Sequence, residues 1–95
     1  MKGRFFSAVH SLATSDAPIQ ERLAGAAESL APLKPEELPE DLRHEFVALM
    51  RELTKHPATG NEGTIAATTS RLTVEQAHNL AEQILHIYTE LLGGL

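Results

Sequence analysis

Cysteine is absent from this chain of 95 residues, tryptophan is absent too, and the aromatic side chains number three phenylalanines and one tyrosine. Without cysteine there is no disulfide to staple a small fold and no thiolate to serve as nucleophile or soft metal ligand. The lack suits a reducing compartment. No run of about eighteen consecutive apolar residues occurs, so no stretch is expected to cross a bilayer as a helix. The first ten residues carry charge but neither a long apolar segment nor a small-residue cleavage pattern, which argues against a signal peptide; the expected location is cytoplasmic. Basic residues are scarce as well: 8 Lys and Arg stand against 13 Asp and Glu, a net charge of −5. Nucleic-acid binding works by replacing phosphate counterions with Lys and Arg. No cluster of them is visible, so nucleic acid is not an expected partner.

What is present is helical periodicity. The length fits one domain, residues 1–95, and the mass of 10.3 kDa implies burial of roughly 64% of the unfolded surface. The core is therefore thin, and a partner or a second copy could add to its stability.

The last helix has the fullest signal. Thr73 followed by Gln76 reads as a capping box. From there Val74, Ala77, Leu80, Ala81, Ile84, Leu85, Ile87, Tyr88, Leu91 and Leu92 recur over an arc of about 160°, opposite a polar side of Glu75, His78, Asn79, Glu82, Gln83, His86 and Glu90. Gly93 and Gly94 supply the stop. A third helix, over 39–54, opens with Pro39 at its first position and Glu40 and Asp41 at the positive end of its dipole. It buries Leu42, Phe46, Leu49 and Leu53. A second, over 17–31, is capped by Ser15 or Asp16 with Pro18 in its first turn and has Ile19, Leu23, Ala26 and Leu30 as its buried stripe; Gly25 in its interior costs about 1 kcal/mol against alanine and has no evident compensation. The first, over 2–14, sets Phe5, Val9 and Leu12 on one side with Phe6 and Ala13 beside them, Phe5 and Phe6 both being read as core. Its Lys2 and Arg4 oppose the dipole, so fraying is expected.

Between these, residues 55–71 lose their period. His56 to Gly63 is a loop by its proline and glycines, and Thr64 to Ser70 is either a short helix capped by Thr64 or irregular chain. The expected fold is all-α: a small antiparallel bundle of four main helices with a long loop or short extra helix before the last one.

No constellation carries catalytic chemistry. His78, Glu82, His86 and Glu90 follow one another at four-residue steps. The two histidines lie about 12 Å apart along the axis, too far to share one ion, so a solvated face accounts for the row. His44 and Glu45 lack the second histidine of a zinc-protease helix. No histidine is placed as base for the Ser and Thr residues of 64–73. No metal or cofactor is expected and the residues lean away from an enzyme, with a metal-dependent enzyme using His78 or His86 as a third alternative. Two surfaces remain. Arg43, Val47 and Met50 flank the core stripe of the third helix as a candidate contact edge, because Met and Arg are enriched at interfaces. Gly60, Glu62, Gly63, Thr64 and Thr68 form a candidate ligand loop in which glycines would let backbone amides approach an anion, although Glu62 has the wrong sign for one.

The segments 18–23, 33–42 and 60–68, together with the capped last helix, resemble a set of small bacterial proteins of unassigned function. The resemblance covers most of the chain, with Gly60, Glu62, Gly63, Ile65 and Thr68 as its most recognisable part. It implies a bacterial, cytosolic helical protein and supplies no site residues. The functional expectation is a small helical protein–protein interaction module or accessory subunit that touches no membrane, a homodimer being one form of it. The alternative is a small-molecule or anion binder using the 60–68 loop.

Overall fold

The computed structural model describes residues 1–57 and 63–93. The elements in order are α1 (Lys2–Thr14), α2 (Ile19–Leu30), a 3-10 turn (Pro35–Glu37), α3 (Glu40–Leu53), a short α4 (Thr64–Thr69) and α5 (Val74–Leu91). The fold is all-α, a bundle of four main helices with one short extra helix before the last, and there is no strand among the described residues.

Polar contacts between elements show how the helices run. The Arg4 guanidinium donates to the Ser29 carbonyl (3.4 Å), while Arg22 donates through Nε to Ala17 (2.8 Å) and through Nη1 to Leu12 (2.9 Å). The start of α1 therefore lies by the end of α2, and the start of α2 by the end of α1. Gln20 Nε2 donates to the Leu72 carbonyl (3.2 Å), so α2 and α5 begin at the same end and α5 runs opposite to α1. On the other flank of α5, Glu52 and Lys55 near the end of α3 line a polar cleft with Gln76 and Asn79 near the start of α5. α3 thus runs opposite to α5 as well.

The stripes read from periodicity meet in one interior. Leu23, Ala26 and Leu30 of α2, and Leu42, Phe46, Leu49 and Leu53 of α3, are buried with Phe5, Ile84 and Ile87. The Phe5 and Phe46 rings pack with centroids 6.0 Å apart at 59°, a tilted contact that adds to plain area burial. Leu33 and Leu38 bring the proline-rich connector onto the same core.

Several local expectations are corrected. Pro18 and Pro39 stand one residue before their helices, not inside them. Their φ of −54° and −55° would suit either place, but ψ of 152° and 144° puts both in extended backbone. There a missing N–H costs nothing, and their carbonyls accept the first helical bonds, Pro18 from Arg22 and Glu21 (3.0 Å each) and Pro39 from Leu42 (2.9 Å). Neither Ser15 nor Asp16 caps α2; the Ser15 hydroxyl accepts from the Ala17 amide (3.2 Å), closing a turn before the helix. Thr64 does not cap α4 but is its first residue, with Gly63 in the capping position. The Thr73–Gln76 box is present in both directions, at 3.0 and 2.9 Å. Gly93 ends α5 at φ +99°, a conformation glycine adopts without steric cost.

Phe6 is the largest correction. It is 56% exposed while Phe5 is wholly buried, because neighbours on a helix point about 100° apart and only one can face the core.

Candidate functional site

The candidate residues on α3 do not make a free edge. Arg43 is half-buried and committed, donating through Nε to the Leu38 carbonyl (2.9 Å) and through Nη2 to Glu36 (3.4 Å), which holds the 3-10 turn against α3. Met50 packs on the core, leaving Val47 as an isolated exposed side chain.

In the candidate ligand loop, Gly60 and Glu62 lie outside the described residues. Gly63 and Thr64 are exposed, but Thr68 is fully buried. Its hydroxyl donates to the Thr64 carbonyl (2.7 Å) and accepts from the His56 amide (3.0 Å). Thr69, also buried, donates likewise to Ile65 (3.0 Å). Thr68 pins the segment after α3 to α4, and Arg71 Nη1 reinforces that junction from 3.3 Å off His56 Nδ1.

The row on α5 is divided between partners. His78 lies 3.8 Å from Glu82, whereas His86 reaches across to Glu45 of α3 (3.5 Å). No group of three or more His, Cys, Asp or Glu among the described residues is placed to hold a metal ion.

What the packing leaves uncovered is one flank of α5 and the adjoining flank of α1. With Ile84 directed at the core, Ala81, Leu92, Val74 and Leu85 fall about 60–100° round the helix on a single side. With Phe5 at the core of α1, Val9, Ala13 and Phe6 fall about 40–100° round, and His10 lies just beyond them. These two flanks meet in a groove of about 300 Å³ lined by Val9, Leu12 and Ala13 of α1, Ile19 of α2, and Ala81 and Leu85 of α5. Arg22, His78 and Glu82 form its polar rim. Beside the groove Phe6 and Leu85 remain 56% and 49% exposed, and on the same flank Val74 and Leu92, at the two ends of α5 and about 27 Å apart, are 65% and 53% exposed. They are four of the six large hydrophobic side chains that stay exposed among the described residues, the others being Met1 and Val47. Isolated apolar residues are ordinary on a protein surface; Phe6 and Leu85 differ in bordering an apolar groove with a polar rim, the combination that marks a contact site. The rings of Phe6 and His10 stand 5.8 Å apart and make an aromatic ridge on the outer side of α1.

The sequence carried a signal for this face. An apolar arc of about 160° on α5 is wider than α1, α2 and α3 together cover, and Phe5 next to Phe6 requires one ring to face away from the interior. No protein family, curated protein or solved structure matches the chain. No helix among the described residues is long and apolar enough to cross a membrane.

Proposed function

We propose that the protein is a helical interaction module or accessory subunit whose docking face is the α1–α5 groove and its apolar shoulders. One observation carries the reading: Phe6 and Leu85 remain in solvent beside an apolar groove, and Val74 and Leu92 continue the same flank to the two ends of α5, on a bundle that buries its other hydrophobic stripes. Burial of such side chains contributes about 1.5–3 kcal/mol each relative to full exposure, so an apolar helix or sheet face that covers them gains free energy without a change of fold. The open trough and its few polar groups suit a protein surface better than an enclosed metabolite. Arg22, the guanidinium at its edge, is already bonded to two carbonyls of its own chain.

A photo-crosslinking amino acid at Leu85 tests this in the native host. A discrete protein adduct is expected from Leu85, none from Val47, and loss of the Leu85 adduct when Phe6→Glu is added. No adduct from Leu85, Leu92 or Phe6 positions overturns the reading.

A further inference from the structure

We draw no further inference here: the strongest candidate, the apolar flank where α1 meets α5 with Phe6 and Leu85 exposed beside the groove, is an unpartnered face already described above, and nothing in the structure shows what covers it.

Discussion

Thr68 shows how much a single hydroxyl can hold. It is buried and satisfies two backbone groups at once, the carbonyl of Thr64 and the amide of His56, the latter twelve residues away. Replacing it with valine keeps the shape but leaves the half-buried His56 amide without its acceptor. A loss of about 1–2 kcal/mol is expected, read as a lower urea midpoint at constant slope. Gly25 lies at the opposite sign. A Cβ built there meets nothing within 4 Å, so Gly25→Ala should stabilise the chain by about 0.5–1 kcal/mol through helix propensity and a less free unfolded state. An unchanged or lowered midpoint would show that Gly25 serves a contact not seen in the isolated chain. The cost of Gly25 was legible in the sequence. The burial of Thr68 was not, because its acceptor role depends on a residue brought beside it only by the turn of chain between α3 and α4.

Among the elements, the α1–α2 hairpin is held by two arginines that each serve the other helix. Lys2 and Arg4 at the start of α1 look misplaced against the dipole when that helix is read alone. In the fold Arg4 reaches the last turn of α2, and Arg22 reaches the Leu12 carbonyl in the last turn of α1, where α1 has no basic residue of its own. Cations favour helix C-termini, and the helical hairpin brings each one there. Arg22→Ala should cost about 2 kcal/mol from the loss of charged hydrogen bonds. Arg22→Lys should recover only part, because an ammonium cannot span both Ala17 and Leu12 as the planar guanidinium does. At the other end of the chain, Thr73→Ala should cost about 1 kcal/mol by removing the cap of α5. Helical content at 222 nm against temperature separates that local loss from global unfolding. Caps and stops of this kind involve residues three or four apart, which is why the Thr73–Gln76 box and the Gly93 terminus could be read directly.

At the scale of the whole molecule, neighbouring positions on α5 have opposite fates. Ile84 is fully buried and Leu85 is half in solvent. Ile84→Ala should therefore destabilise by about 2–4 kcal/mol, whereas Leu85→Glu should change stability by no more than about 0.5 kcal/mol and act on association alone. Equal destabilisation by the two would mean that Leu85 belongs to the interior and that the α1–α5 flank is no docking face. Periodicity by itself determined that this protein is all-α, where its main helices run, and which stripes on α2 and α3 turn inward, because those properties follow from angles around one helix axis and from bonds between near neighbours in the chain. Only the tertiary structure decided which half of the wide apolar arc on α5 is covered, that Phe6 is left outside, and that Arg43 and Thr68 are spent on holding connectors. A residue's angle on its helix states the direction it points, and what it meets there depends on the helices packed alongside.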